Sequence, residues 1–435
     1  MNIVFSGSKM EFNLAAQTPM IHFQHGEDGA TLRASEVKPK LDRFILKKMR
    51  HDNPGISDFH RNDSYGSIFR ENGKESLDYS MSIRSRSHPK RVDLKKYKSF
   101  YGNQNQEKKD FKYGIWSDPV VTIICFNEML RGLIQKYIVE FFLVTNFGTM
   151  QSKGFGSFIL APSSTGVSWS PDTDIEQTAR FIKEECDATR CFCMRFSQDK
   201  NKDRNDVAVR ILNEICQFYK IMKSGYNISA DRNPQKAGYV RSYIYQYMHG
   251  SGNNNINNEK AWMKQNHIAP NEGTEEHKKV ADLSDYDARF LRALLGTGDS
   301  ITYLGKRSIE IKNIDKYNAD DKSPKFERVP SPVFFKVIKN CVFIAARPVP
   351  KELYGASFQF TRKWETDAVP ENDLSKTIKV PTKAELQEKR KGSIEDFLAS
   401  YISYYLDEIP GWNKKNLGEC VNNLRRNNNI REVTT

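Results

Sequence analysis

Residues 146–160 read NFGTMQSKGFGSFIL, and their place in the chain decides the fold class. Upstream, Met129, Leu130, Leu133, Ile134, Tyr137, Ile138, Phe141 and Phe142 form an apolar stripe at helical spacing that Asn127 can start. Downstream, Ser157 to Leu160 reads as a short strand. A helix thus feeds a loop bearing Gly148, Gly154 and Gly156, and the loop feeds a strand. Further back, VVTIICF (120–126) reads as a buried strand, and KMEFNLAAQTPMIHF (9–23) places Met10, Phe12 and Leu14 on alternate positions of a half-buried one. Between them Ser35 can cap a helix carrying Val37, Leu41, Phe44, Ile45 and Met49, with Pro39 tolerated in its first turn. The order is strand, helix, strand region with a large insertion, helix, glycine loop, strand. That is the order of a split βαβ unit.

The rest of the chain echoes it. TRCFCMRF (189–196) reads as a strand, and Ala208, Ile211, Leu212, Ile215, Cys216, Tyr219 and Met222 mark an amphipathic helix ending near Gly225. The stretch 249–279 is rich in Asn, Gly and Glu and reads as a loop. FLRALLG (290–296) is a short apolar helical turn closed by glycine. Val333 to Ile338 and Val342 to Ala345 make a hairpin split by Lys339 and Asn340. Ser393 then caps a last helix carrying Ile394, Phe397, Leu398, Tyr401, Ile402 and Tyr405, with Asp396 at the capping-box position. The expected class is α+β, with two ferredoxin-like (RRM-like, βαββαβ) domains over 1–165 and 166–435, carrying insertions at about 51–117 and about 249–280.

With 435 residues the chain is long enough for two or three domains, and 26 Phe, 19 Tyr and 5 Trp supply core material that a disordered chain lacks. Its best membrane candidate, 129–144, is broken by Arg131, Gln135, Lys136 and Glu140. The opening MNIVFSGSKMEFN lacks the pattern of a secretory leader, and 7 Cys, an odd number, suit a reducing cytoplasm better than a disulfide framework.

A formal net charge of +13 points to polyanions, and its distribution is uneven. From Arg84 to Tyr113, ten basic residues, among them Arg84, Arg86, Lys90, Arg91, Lys95 and Lys96, face three acidic ones, and Tyr97, Phe100, Tyr101, Phe111 and Tyr113 interleave with them. Cations with aromatics suit single-stranded nucleic acid, through phosphates and stacked bases; a solvated loop is the other reading. KGFGS lacks the GxxxxGK[ST] order and follows a helix instead of opening one, which excludes a P-loop. It is either a plain turn or a bend whose amides approach a polyanion, with Lys153 supplying charge and Phe155 a stacking face.

The helix feeding KGFGS and then a strand resembles the glycine-rich loop of the RAMP superfamily, the RNA-binding subunits of CRISPR effector complexes. TPMIHF followed by LRASEVKPKLDRF is similar to that family's first strand and first helix. RALLG and ERVPSPVFFKVI resemble its two-domain members, particularly the Cmr-type capping subunit of type III-B complexes. Gln151 and Ser152 stand where the family often has arginines. The resemblance implies a non-catalytic subunit that binds guide RNA, target RNA or both beside other RAMP subunits, with no cofactor. It implies that Lys153, Gly154, Phe155 and Gly156 touch RNA and that Arg33, Ser35, Lys38 and Lys40 lie alongside, at a helix start that favours phosphate.

Some RAMP relatives are metal-independent endoribonucleases using a histidine after the first strand, and His22 and His25 occupy that region. Against this, such enzymes carry the glycine loop near their C-terminus. Other filament subunits cut with an aspartate on an inserted loop, and Asp58, Asp63, Asp78 and Asp93 are available without anything selecting one. Cys186, Cys191 and Cys193 have no matching CxxC or HxxxH pair and read as buried thiols.

Overall fold

The computed structural model describes residues 7–22, 30–71, 76–94, 113–161, 174–196, 202–228, 238–249, 256–269, 288–298, 300–303, 307–315, 329–363, 375–388, 393–407 and 430–432. The first half runs β1 (Lys9–Ala16), α1 (Ala34–Asp52), β2 (Ser80–Ser85), β3 (Lys90–Asp93), β4 (Tyr113–Trp116), β5 (Pro119–Ile124), α2 (Glu128–Val144), β6 (Phe158–Leu160). The second runs α3 (Ile175–Glu185), β7 (Cys191–Arg195), α4 (Arg204–Lys223), β8 (Tyr226–Ile228), β9 (Gly238–Val240), α5 (Tyr243–Met248), β10 (Asn257–Asn258), α6 (Glu259–Gln265) and β11 (Ala288–Arg289). It continues through β12 (Ser300–Tyr303), β13 (Arg307–Asn313), β14 (Val333–Ile338), β15 (Cys341–Ala346), β16 (Ser357–Arg362), β17 (Ser375–Lys379), α7 (Lys383–Glu388), α8 (Ile394–Asp407) and β18 (Ile430–Glu432). The class is mixed α+β.

Two four-stranded antiparallel sheets share one connectivity. The first is ordered β2-β5-β1-β6 and the second β14-β15-β7-β18. Counted within each half, both read second, third, first, fourth strand, with a helix in the first and third connections: α1 and α2 in one, α4 and α8 in the other. The echo is therefore one of topology. Between α4 and β14, and again between β15 and α8, the second half inserts strands that assemble into a third sheet, β12-β13-β16-β17.

Burial explains why the hairpin was so legible. β14 and β15 are buried at every position, because one face of their sheet packs on α4, α8 and the third sheet while the other packs into the first half. Such strands need unbroken apolar runs. Phe334, Ile338, Cys341, Phe343 and Ala345 thus share a core with α1, α2, α3 and the inner face of the first sheet. The outer face of that first sheet carries Lys9, Glu11 and Asn13 against Ile124, Thr122 and Val120, and these against Ser80, Ser82 and Arg84.

Local signals hold at several ends. Asn127 caps α2, its side chain accepting from the Leu130 amide at 3.0 Å. Ser393 and Asp396 form the reciprocal box at the start of α8, with Ser393 N to Asp396 Oδ2 at 3.0 Å and Asp396 N to Ser393 Oγ at 3.2 Å. Two expectations need correction. The capping position of α1 is Arg33, which gives the helix no side-chain cap, so Ser35 lies inside the first turn. The stretch 249–279, read as a loop, holds the helix α6.

One buried acid makes a pH test. Glu214 on α4 is buried and accepts from the Tyr405 hydroxyl of α8, and burial lifts its carboxyl from 4.5 to about 7. Between those values the folded chain holds a proton that the unfolded chain has released. The contribution is therefore full below 4.5 and is lost as pH rises through about 7. Glu214→Gln keeps an acceptor for Tyr405 without titrating. Relative to the parent, it should gain on the order of 1–3 kcal/mol between pH 4.5 and pH 8 in denaturant melts. Parallel pH profiles would contradict the assignment.

Candidate nucleic-acid interface

The glycine loop is the bolt between the halves. Its backbone is tied to the segment after β1: the Gly156 amide donates to Pro19 O at 3.0 Å, and the Thr18 hydroxyl donates to Gly154 O at 2.7 Å while accepting from the Ser157 amide at 3.0 Å. It is tied equally to β14. The Ser157 hydroxyl donates to Val337 O at 2.7 Å, the Asn146 side-chain Nδ2 to Phe335 O at 2.9 Å, and Lys153 bridges Phe335 in parallel register. Lys336, wholly buried, returns the contact through Nζ to Thr145 O at 3.0 Å, Phe158 O at 3.0 Å and Asn146 Oδ1 at 3.2 Å. Burial holds its amine well below the usual lysine range.

These contacts correct the expected role of the loop backbone. Gly154, Phe155 and Gly156 are buried, and a Cβ on Gly154 would stand 3.0 Å from Val337 Cγ2 and 3.2 Å from Ile215 Cδ1. The amides meant for a polyanion are spent inside the first half instead, Gly156 N on Pro19 O and Gly154 N on Gln151 O, while the loop's buried side packs on the second half. The glycines are needed because two pieces of backbone cross closely. Phe155 is a core side chain in the second half's cluster, not a stacking platform.

Lys38 and Lys40 are half-buried and have partners within the protein. Lys38 Nζ donates to Asp42 Oδ2 at 2.8 Å and Leu77 O at 2.9 Å, and lies over the Tyr79 ring at 4.1 Å. Lys40 Nζ reaches Glu36 Oε1, Asn146 O and Gln151 Oε1 at 3.1, 3.2 and 3.0 Å, while Glu36 Oε1 accepts from the Gly148 amide at 2.8 Å. Both ammonium groups position protein. Arg33 is half-buried and Ser35 exposed at the same helix start.

A different set of predicted residues faces solvent. Arg84, Arg86, Lys90 and Arg91 are all exposed, on the end of β2, the turn after it and the start of β3. β3 is held by β4, pairing Lys90 with Trp116 and Arg91 with Ile115. Trp116 is anchored by its Nε1 donating to Asn205 Oδ1 at 3.0 Å and by the Arg204 guanidinium 4.6 Å over its ring. The ribbon therefore stands on a rigid base. Tyr113 on β4 is exposed, and Phe126, just past β5, is 82% exposed. Lys95 and Lys96 lie outside the described residues.

Reasoning from sequence missed a second basic group. Lys153 Nζ lies 4.6 Å from the centre of the Tyr219 ring and Lys223 Nζ 5.8 Å from it; the Tyr219 hydroxyl donates to Leu295 O at 2.5 Å, and Lys223 Nζ to Gly296 O at 2.5 Å. KGFGS and RALLG, the two motifs that stood out, thus meet on one helix. Lys260 and Arg292 complete the group, and the only signal for it was the arginine within LRALLG.

The catalytic alternatives gain little geometry. His22 is buried, and His25 lies outside the described residues. Asp58 lies 3.6 Å from Arg61 and Asp78 3.8 Å from Arg70, and Asp63 and Asp93 are exposed without converging on them. Cys186, Cys191 and Cys193 are buried free thiols, with burial raising each thiol and, for Cys193, the neighbouring Cys341 foremost. Among the described residues, no group of three or more His, Cys, Asp or Glu is placed to hold a metal ion, and no helix is long and apolar enough to cross a membrane.

Residues 7–226 match the Cmr1 N-terminal domain family and residues 239–426 the Cmr1 C-terminal domain family. Among solved structures, Cmr1 from Pyrococcus furiosus in its apo form is similar at 11% identity, covering 85% of this chain and 93% of that one with a TM-score of 0.37. A chain of the type III-B Cmr-beta complex bound to cognate target RNA is similar at 14% identity, covering 35% of this chain and 58% of that one with a TM-score of 0.24. No curated protein matches the chain.

Proposed function

The chain belongs to the Cmr1 family, a Cmr-type branch of the RAMP superfamily, and from that premise we propose that it is a non-catalytic, RNA-binding subunit of a CRISPR type III-B ribonucleoprotein complex. It contacts guide or target RNA and neighbouring RAMP subunits in the cytoplasm. The six cysteines among the described residues, all buried free thiols, fit a reducing compartment. Its two halves, 1–165 and 166–435, act as two ferredoxin-like units, a reading supported by the strand order they share.

The observation that carries the RNA reading is the exposed ribbon of Arg84, Arg86, Lys90 and Arg91 on paired strands, with Tyr113 close by on β4. Cations held on a rigid ladder neutralise successive phosphates, and an exposed aromatic offers a face to an unstacked base. Recognition would be of backbone and shape, leaving sequence to pairing between RNA strands. Of the residues at the start of α1, Ser35 is exposed and Arg33 half-buried, and both are candidates for a further contact.

The test is binding of single-stranded RNA to the full chain and to its R84A/R86A/K90A/R91A variant. The variant should lose about tenfold or more in affinity at low salt. Because these side chains are exposed, its melting temperature should match the parent. Unchanged affinity would count against the ribbon, and RNA cleavage by the purified chain in EDTA would count against a non-catalytic role.

A further inference from the structure

The ribbon of β3 and β4 belongs to the first half by sequence, yet the second half holds it in place. Leu94, the residue after β3, is fully buried in the core built on α4, α5 and α8. Trp116, at the end of β4 and opposite Lys90, is buried against the start of α4: its Nε1 donates to Asn205 Oδ1 at 3.0 Å, and the Arg204 guanidinium lies 4.6 Å over its ring. Arg204 is itself held. Its Nη1 donates to Asp118 Oδ2 at 2.8 Å, and the other oxygen of Asp118 accepts from the Ala16 amide at 2.9 Å. The helix end that presents Arg204 and Asn205 is fixed in turn by Asp203, which caps α4 by accepting from the Asp206 amide at 2.8 Å. The four exposed cations of the ribbon therefore have two supports. Arg84 pairs with Val120 in the first sheet, and Arg86 follows it, whereas Lys90 and Arg91 ride on β3, whose strand partner is β4.

We infer that Asn205, with Arg204 beside it, is a positioning residue for RNA. Asn205 fixes Trp116, Trp116 fixes β4, and β4 sets where Lys90 and Arg91 stand relative to Arg84 and Arg86. The surface that meets RNA is thus completed by the second half, and the inference rests on the RNA-binding reading of the ribbon given above. Spacing matters because a line of cations neutralises successive phosphates only while its members keep their intervals. An asparagine suits the place because its carbonyl accepts from an indole N–H that burial would otherwise strand. Asn205 acts through Trp116 and needs no contact with RNA itself.

The experiment is the salt dependence of single-stranded RNA binding by the full chain carrying Asn205→Leu, which keeps the size of the side chain and removes the acceptor, or the smaller Asn205→Ala. Each is made in the parent and in K90A/R91A. In the parent, each should weaken binding about threefold or more at low salt and flatten the log–log slope by up to about 1.4, two phosphate contacts at about 0.7 each. In K90A/R91A, neither should change affinity or slope further, because the cations that Asn205 positions are gone. A residue that only supports the fold would lower affinity equally in both backgrounds, and that result overturns the inference. So does an unchanged slope in the parent while K90A/R91A is impaired, which leaves the ribbon reading standing. Should K90A/R91A bind RNA as tightly as the parent, the ribbon reading falls and the inference falls with it.

Discussion

Gly156→Ala is expected to be the most damaging single substitution in the loop, destabilising the folded state severely. The residue sits at φ +63°, and a Cβ there would lie 1.9 Å from Phe147 O and 2.8 Å from Phe147 C. No side chain can swing aside, because the obstacle is backbone. It is also backbone in use: the Phe147 amide donates to Gly156 O at 2.9 Å, and Asn146 bridges Ser157 beside it. Relief would open the neck of the loop and pull Ser157 and Asn146 off β14, releasing the contact between the halves. The cost should exceed about 4 kcal/mol, the range reserved for broken cores and forced backbone. A domain of this size would then melt lower by about 10 °C or more, or fail to accumulate. Gly154→Ala meets a valine methyl at 3.0 Å instead, and should be the milder lesion. A Gly156→Ala protein melting within a degree or two of the parent would remove the loop from its place as the bolt.

Lys336→Met should come second in size. The side chain keeps its length and apolar stem, but Thr145 O, Phe158 O and Asn146 Oδ1 lose their shared donor inside the protein. Each stranded acceptor costs about 1–3 kcal/mol, partly offset by no longer burying an amine, so a net loss of about 2–4 kcal/mol is expected in denaturant melts. The pH profile carries a second signature. With the folded amine held below its ordinary value of 10.5, the folded chain binds fewer protons than the unfolded one, so this group's contribution rises with pH up to 10.5 and is absent at low pH. Lys336→Met should lack that rise. A variant as stable as the parent, with the same alkaline trend, would show that the three contacts hold nothing together.

How far the fold could be read from the chain follows from where each element finds its partners. β1, α2, the hairpin of β14 and β15, and the capped start of α8 carry their signals in their own few residues, and all stand close to where those signals put them. β2 does not, since SMSIRS exposes Ser80, Ser82 and Arg84 and leaves its other face half-buried, so an edge strand reads like the polar stretch around it. The site was legible in its residues but not in their exposure. Nothing within KGFGS says that Val337, some 180 residues later, will cover it, nor that Tyr219 and the LRALLG turn will close around Lys153. Lys38 and Lys40 mislead for a related reason, because their acceptors, Leu77 O and Asn146 O, belong to segments far along the chain. Arg84, Arg86, Lys90 and Arg91 escape this because they stand exposed among the described residues.

The central claim is that this ribbon, and not the glycine-loop backbone, is what RNA meets first. The most direct test is the salt dependence of binding, log affinity against log salt, for the full chain and for R84A/R86A/K90A/R91A on the same single-stranded RNA. Each phosphate neutralised contributes about 0.7 to the slope on a single strand, so four lost contacts should flatten it by about 3. Two parallel lines, however far apart, would mean that the ribbon touches no phosphates and that the RNA lies elsewhere on the molecule.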